Sequence, residues 1–280
     1  MLRIVTDGAA DLPEGWEKEF DIQIIPINIH FGEETYLQYV DMDMEAFYNK
    51  VDTSSVFPKT SQPSPHQFVE FYKKIAQPGD TILSIHVTSK LSGTYASAVA
   101  AADDLRGKYN VIPFDSIGGS IGIGFMCRAA RQMERAGKSL EEILQYLEDV
   151  RGKVLIILTL DTLEYARRSG RVGTLSAALA SVLNVKPIAM LEDGVVNMVD
   201  KVRTRKVALA KVLEMGKQAF GDQPVHLGVL HARDPESGKN LMEEAKKLFD
   251  YKTVEMADLS VSLAINFGPG TVALVLYPAE

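Results

Sequence analysis

The chain has a single cysteine, Cys127, and this scarcity excludes an internal disulfide bond and any metal site built from several cysteines. Cys127 lies in an apolar stretch with helical spacing, so we expect it in the core and not as a nucleophile. The five histidines are scattered, and no metal site is predicted. No apolar run approaches the roughly 18 residues that span a bilayer, so no integral membrane association is expected.

Positive charge is also scarce. The chain has 30 Lys and Arg against 37 Asp and Glu, whereas nucleic-acid binding relies on basic side chains that neutralise phosphates. No nucleic-acid partner is therefore expected. Because no basic segment followed by an apolar one opens the chain, no secretory signal is predicted and we expect a cytoplasmic protein. The sequence contains neither a P-loop nor a G-x-G-x-x-G motif, which predicts no cofactor and no ATP binding by this chain itself.

The first half of the chain predicts a parallel α/β domain. Apolar, β-branched runs predict strands over residues 2–6, 22–29, 81–87 and 110–114, and the later strands are separated by helical patterns. Ser64-Pro65-His66-Gln67 has the serine cap, first-turn proline and glutamine of a capping box, which predicts a helix start. We expect a mainly parallel sheet with helices on both faces, within an N-terminal domain of residues 1–153.

The second half predicts a different sheet, in a C-terminal domain of residues 154–280. Asp193-Gly194 separates two extended runs and is typical of a hairpin turn, so the sheet should be mixed, with helices packed on one face. Strands are predicted at 154–160, 187–191, 195–203, 225–230, 251–255 and 271–276, and helices at 175–183, 206–220 and 235–249. Two further helices, predicted at 125–135 and 139–150, belong to the N-terminal domain.

Two hydroxyl-rich segments, residues 59–64 and 89–95, each lie between an extended run and a helix start. Amides at a helix N-terminus lack intrahelical acceptors and carry the positive end of the helix dipole, so an anion can bind there without a metal. Thr60, Ser61, Ser92 and Thr94 could each serve only as caps. However, both segments contain more hydroxyls than capping requires, and both are predicted at the same edge of one sheet. They predict a cradle for a small acidic group.

A series of motifs resembles the DegV family of bacterial fatty-acid-binding proteins. The resemblance covers the whole chain, and although each motif is short, seven occur in order. They are Ile4-Val5-Thr6-Asp7 with Ala10-Asp11-Leu12-Pro13, Thr60-Ser61-Gln62-Pro63-Ser64, Leu91-Ser92-Gly93-Thr94-Tyr95, Gly170-Arg171-Val172, Leu183-Asn184-Val185-Lys186-Pro187, Glu192-Asp193-Gly194 and Gly268-Pro269-Gly270.

This resemblance implies a two-domain α/β protein that holds one long-chain fatty acid between its domains. It implies that Thr60 and Ser92 hold the carboxylate, and that the head region also includes Ser61, Gly93, Arg171 and Asn266. It further implies a non-catalytic role as the acyl-carrying subunit of a fatty acid kinase, in which a separate ATP-binding subunit phosphorylates the presented acid.

Three positions depart from the family pattern. Gly8 stands where the family commonly has serine after the first aspartate, and Ser169-Gly170 replaces a glycine doublet. Asn266 stands where the family commonly has histidine before the Gly-Pro-Gly turn. Asparagine can donate a hydrogen bond but cannot carry a positive charge, so this departure bears on phosphotransfer.

Two alternatives remain open at the level of sequence. Gly118-Gly119-Ser120-Ile121-Gly122 matches the G-x-S-x-G pattern, and Asp193 or Asp200 followed by His226 or His231 completes the chain order of a serine esterase. The competing interpretation is that these glycines allow a helix start to approach another backbone closely. The second alternative is a binding module that senses acyl chains and has no kinase partner.

Overall fold

The computed structural model describes residues 1–172 and 185–279, which form two compact units. Unit 1 comprises Met1–Arg151 and Ser260–Ser262, and unit 2 comprises Gly152–Leu259 and Leu263–Glu280. The sequence pattern assigns Ser260–Ser262 to the second domain, whereas in the structure this segment groups with unit 1. The predicted helix at 175–183 lies outside the described residues.

Unit 1 contains a four-stranded parallel sheet, a small three-stranded antiparallel sheet and the helices around them. Its strands are β1 (Leu2–Asp7), β2 (Ile22–Ile25), β3 (Asn28–Phe31), β4 (Glu34–Leu37), β5 (Lys59–Ser61), β6 (Thr81–His86) and β7 (Asn110–Asp115). Its helices are α1 (Trp16–Glu19), α2 (Met44–Thr53), α3 (Pro65–Ile75), α4 (Thr94–Asp104), α5 (Ser120–Arg135) and α6 (Leu140–Arg151).

The parallel sheet has the strand order β2-β1-β6-β7 and is buried on both faces. Val5 and Ile82 pack with residues of α3 and α4, including Phe68 and Ala98, in one core cluster. Ile4 precedes Val5 and therefore points to the opposite face, where α5 contacts β1. This arrangement explains why the strands are apolar at successive positions, as parallel strands covered by helices are.

The sequence prediction of one strand over residues 22–29 is wrong. Pro26 interrupts it, because proline has no N–H to donate and is disfavoured within a ladder. The chain instead forms β2 in the parallel sheet and β3 in the antiparallel sheet, whose order is β4-β3-β5. Neither β4 nor β5 was predicted, since each has only three or four residues and too little alternation to recognise.

Unit 2 contains a six-stranded mixed sheet and four described helices. The strands are β8 (Leu155–Thr159), β9 (Lys186–Glu192), β10 (Val195–Val202), β11 (Val225–His231), β12 (Tyr251–Asp258) and β13 (Val272–Pro278); the helices are α7 (Glu164–Ser169), α8 (Arg205–Phe220), α9 (Pro235–Leu248) and α10 (Val261–Phe267). The strand order is β10-β9-β8-β13-β11-β12, which confirms the predicted mixed architecture. Helices α8 and α9 pack against the sheet in a core that includes Val212, Leu241 and Leu274. Asp193-Gly194 forms the predicted turn between β9 and β10.

Cys127 is fully buried within α5, as predicted, and burial raises the pKa of its thiol. Within residues 1–172 and 185–279, no helix has the length and hydrophobicity required to cross a membrane.

Candidate functional site

The turn that carries Ser92 connects the C-terminal end of β6 to α4. Gly93 occupies the N-cap position of α4 and offers no side chain to the helix start. The Ser92 hydroxyl accepts a hydrogen bond from the Thr94 amide at 3.3 Å and bonds the Thr94 hydroxyl at 2.8 Å. Both hydroxyls therefore support the helix start, as the capping interpretation expects, and Ser92 is also half-buried at the sheet edge where open α/β folds bind ligands.

Thr60 and Ser61 lie on strand β5 and not in a loop, which corrects the sequence prediction. They pair with Ile29 and Asn28 of β3, so the segment belongs to the antiparallel sheet and not to the edge of the parallel sheet. The expectation that both hydroxyl-rich segments leave one sheet is therefore wrong. The capping box after β5 is confirmed, because the Ser64 hydroxyl accepts from the Gln67 amide and the Gln67 side chain accepts from the Ser64 amide.

The two segments nevertheless meet, through Gln62 and Gly93. A Cβ atom placed on Gly93 would lie 2.7 Å from the Gln62 side-chain nitrogen, closer than a real Cβ atom approaches such an atom. Glycine at this position thus allows the end of the β5 segment to lie directly against the start of α4. Unit 1 therefore brings together the two segments that carry four predicted site residues, Thr60, Ser61, Ser92 and Gly93.

The hydroxyls of Thr60 and Ser61 have different surroundings, because consecutive strand residues point to opposite faces. Ser61 Oγ lies 2.8 Å from Nε2 of His30, whose Nδ1 lies 2.9 Å from Thr35 Oγ1. Thr60 is half-buried, and within the described part of the chain its hydroxyl has no hydrogen-bond partner. Thr60 is therefore the more available of the two for a ligand.

A buried polar network fixes the sheet edge from which the Ser92 turn departs. One Asp7 carboxylate oxygen lies 3.0 Å from Nδ1 of His86 and also accepts from the Val87 amide at 3.0 Å. The other His86 nitrogen lies 2.7 Å from the Ser84 hydroxyl, which accepts from Tyr72 at 2.8 Å. All four side chains are completely buried, so this serine–histidine–aspartate chain cannot receive a substrate and instead ties β1, β6 and α3 together.

The departure at Gly8 has a steric explanation. The Gln38 side chain is fully buried against Gly8, and its nitrogen donates to the Gly8 carbonyl at 2.8 Å. A Cβ atom on Gly8 would lie 2.9 Å from three atoms of that amide group. Gln38 thus occupies the space that a serine side chain at position 8 would need.

A second buried carboxylate, Asp11, lies beside the start of α5 and was not identified from the sequence. It accepts from the Ser120 hydroxyl at 2.5 Å and from the Ser260 amide at 2.8 Å. Burial raises the pKa of Asp11 from 3.8 to about 6, although both hydrogen bonds act in the opposite direction. This carboxyl group therefore titrates near neutral pH.

The hydrogen bond between Ser120 and Asp11 also tests the hypothesis that Ser120 is the nucleophile of a serine esterase. The Ser120 hydroxyl is buried and donates to the Asp11 carboxylate, so its partner is not the histidine that the chain order of a serine esterase requires. His226 bonds Thr253, and His231 lies beside Asp258, in unit 2. The alternative interpretation of the glycines is supported at Gly124, where a Cβ atom would lie 2.9 Å from a methyl group of Leu12. These contacts favour the close-approach interpretation of the glycines over a serine esterase.

Arg171 and Asn266 both belong to unit 2. Arg171 is exposed just beyond α7, and its guanidinium donates to the Ser169 carbonyl at 2.6 Å, so it caps the preceding helix end. Asn266 is half-buried in α10 between the buried Ile265 and Phe267. Within the described residues no cluster of three His, Cys, Asp or Glu side chains could hold a metal ion.

The fold and these segments define a class of protein: two α/β units, with a hydroxyl-bearing strand placed against a helix N-terminus in the first. A family model described as "Uncharacterised protein, DegV family" matches residues 1–279. The chain belongs to the DegV family. Protein DegV of Bacillus subtilis is 30% identical over 275 residues, which cover 98% of each chain.

Solved structures agree with this assignment over the full length. A DegV family protein from Thermus thermophilus, described by its fatty acid binding, superposes with a TM-score of 0.91 at 30% identity and covers 99% of both chains. A stearic acid-binding protein from Eubacterium ventriosum gives a TM-score of 0.90 at 26% identity, with 99% of this chain and 98% of the other covered.

Proposed function

We propose that this protein binds one long-chain fatty acid, with the carboxylate held by Thr60, Ser92 and the amides at the start of α4. The single observation that carries the proposal is the contact between Gln62 and Gly93, which brings the Thr60 segment against the α4 N-terminus. The fatty acids bound by the structural relatives support the same class of ligand.

The chemistry of these groups suits a carboxylate. Hydroxyl and amide donors can bind an anion without a paired cation, and hydrogen bonds to an ionised acceptor are stronger than those between neutral groups. The positive end of the α4 dipole adds a favourable field over the first turn. In this proposal Ser61 supports the site through its bond to His30, while Gly93 permits the close approach.

Most of the affinity would come from the acyl chain. Burial of a methylene group contributes about 0.8 kcal/mol, so a chain of about sixteen carbons contributes on the order of 10 kcal/mol before the costs of binding. The head site then needs to orient the carboxylate more than to bind it tightly. We accordingly expect head-site substitutions to reduce affinity without abolishing it.

The double substitution Thr60→Ala with Ser92→Ala tests the head assignment. We expect the dissociation constant for palmitic acid to rise about tenfold or more, measured by displacement of a fluorescent fatty acid. Ser92→Ala also removes a helix-start contact worth about 1 kcal/mol of stability. Thr204→Ala is the matched control, because it removes the cap of α8 and should cost similar stability without changing affinity. Unchanged affinity in the folded double variant would refute the assignment.

We further propose that the bound acid is presented to a separate ATP-binding kinase subunit. A carboxylate oxygen would attack the γ-phosphorus of ATP on that subunit, the bond to the β-phosphate oxygen would break, and acyl phosphate and ADP would form. Family resemblance along the whole chain supports this role. In this proposal Arg171 offsets the charge that develops during transfer, and Asn266 positions the head by hydrogen bonding.

The kinase role is tested with acid-loaded protein isolated from its own cells with any bound partner. Added ATP and hydroxylamine should yield the acyl hydroxamate only when an ATP-binding partner is present. Fatty acid that binds without any hydroxamate, despite a recovered partner, would instead support an acyl-sensing module.

A further inference from the structure

Gln62 occupies a particular place beside the proposed head site. Its side-chain nitrogen lies against Gly93, the N-cap residue of α4. The side chain is exposed, and among the residues described here its amide group has no hydrogen-bond partner. Both N–H groups of this amide are therefore available at the helix end where the carboxylate is proposed to bind.

The backbone of Gln62 is held firmly although its side chain is exposed. The Asn28 side chain donates to the Gln62 carbonyl at 3.1 Å, and Asn28 is itself paired with the Gln67 amide at 3.1 and 3.5 Å. Gln67 belongs to the capping box of α3, so its position is fixed by that helix. The buried Pro63 further restricts Gln62 to extended backbone conformations. The side-chain amide group of Gln62 therefore extends from a rigid backbone segment.

The lack of a side chain at Gly93 allows the Gln62 amide group to lie close to the start of α4. The Gly93 φ of −77° is open to any residue, so the requirement for glycine here is the space taken by Gln62 and not the backbone conformation. An alanine at this position would displace the flexible end of the Gln62 side chain while leaving the turn intact. The contact between Gln62 and Gly93 can therefore be removed by substitution without changing the fold.

We propose that Gln62 determines specificity at the head site: its neutral amide donates a hydrogen bond to an ionised carboxylate and so selects an acid over an uncharged head group. The inference rests on the proposed function. A carbonyl or carboxylate at the same place would repel the anion, whereas an amide contributes donors without the cost of burying a charge.

The substitution Gln62→Glu keeps the size of the side chain and reverses its electrostatic character. We expect the dissociation constant for dodecanoic acid at pH 8 to rise at least tenfold, while that for dodecan-1-ol changes less than twofold. Both ligands displace the same fluorescent fatty acid, so one assay compares them. Gln132→Glu, at an exposed position on α5, adds the same charge elsewhere and should change neither value.

Gly93→Ala provides a second variant that does not depend on the added charge. It should weaken dodecanoic acid binding several-fold in the wild-type background and much less when combined with Gln62→Ala, because both changes remove the same contact. If acid and alcohol respond equally to Gln62→Glu, or if Gly93→Ala and Gln62→Ala act additively, the inference is overturned while the proposed function stands. A wild-type protein that binds neither dodecanoic nor palmitic acid would overturn both.

Discussion

Asp11 makes the stability of the protein depend on pH in a direction opposite to that of most carboxylates. Its folded-state pKa of about 6 lies above the ordinary value of 3.8, because burial disfavours the charged form. The folded state therefore holds a proton more tightly than the unfolded chain does. The corresponding stabilisation is complete below pH 3.8 and is lost as the pH rises through 6.

The magnitude follows from that difference. One pKa unit corresponds to about 1.4 kcal/mol, so a shift of about 2 units gives about 3 kcal/mol between the protonated and ionised extremes. Asp11→Asn replaces the carboxylate with a neutral group of the same shape. The amide oxygen can accept from Ser260, its nitrogen can donate to Ser120, and asparagine tolerates the positive φ of 44° at this position.

Urea unfolding from pH 5 to pH 8 measures the effect. Over this range the free energy of unfolding of Asp11→Asn, relative to wild type, should rise with pH by about 1.4 kcal/mol, mostly between pH 5 and pH 6.5, because the rest of the difference of about 3 kcal/mol develops between pH 3.8 and pH 5. Asp104→Asn, on the exposed surface of α4, should show no such trend. A difference between Asp11→Asn and wild type that stays constant with pH would show that the α5 N-terminus stabilises the carboxylate enough to cancel the cost of burial.

Two further substitutions test the buried contacts behind the site. Gly8→Ser should destabilise the protein by about 1–3 kcal/mol in thermal or urea unfolding, because its Cβ atom would meet the Gln38 amide at 2.9 Å. Combining it with Gln38→Ala should recover part of that loss, and a destabilisation unaffected by Gln38→Ala would contradict the steric explanation. Tyr72→Phe removes the donor to Ser84 and should cost about 1 kcal/mol, with no change in the dissociation constant for palmitic acid. A large loss of affinity without a loss of stability would instead place Tyr72 in the ligand site.

The sequence predicted the larger elements because their signals are local. The capping box at Ser64 and Gln67 fixed the start of α3, and continuous apolar runs marked β1, β6 and β7. Pairing between short strands depends on distant residues, so β5 and its register with β3 carried no comparable signal. Pro26 was the one local indication that the run at 22–29 is divided.

The candidate site was predictable as a set of residues but not as a geometry. Hydroxyls at Thr60 and Ser92 are visible in the sequence, whereas the contact between Gln62 and Gly93 depends on how the antiparallel sheet packs in unit 1. The buried carboxylate of Asp11 could not be recognised either, because its partners Ser120 and Ser260 are far away along the chain. Burial, and with it a shifted pKa, becomes visible only once the fold is known.

Native mass spectrometry of the purified protein shows directly whether the chain binds a single fatty acid. Solvent extraction of the same sample then identifies any molecule that is released. The proposal predicts a mass excess equal to one fatty acid, or its appearance after incubation with palmitic or oleic acid. Protein that carries no ligand and takes up neither acid would contradict the proposed function.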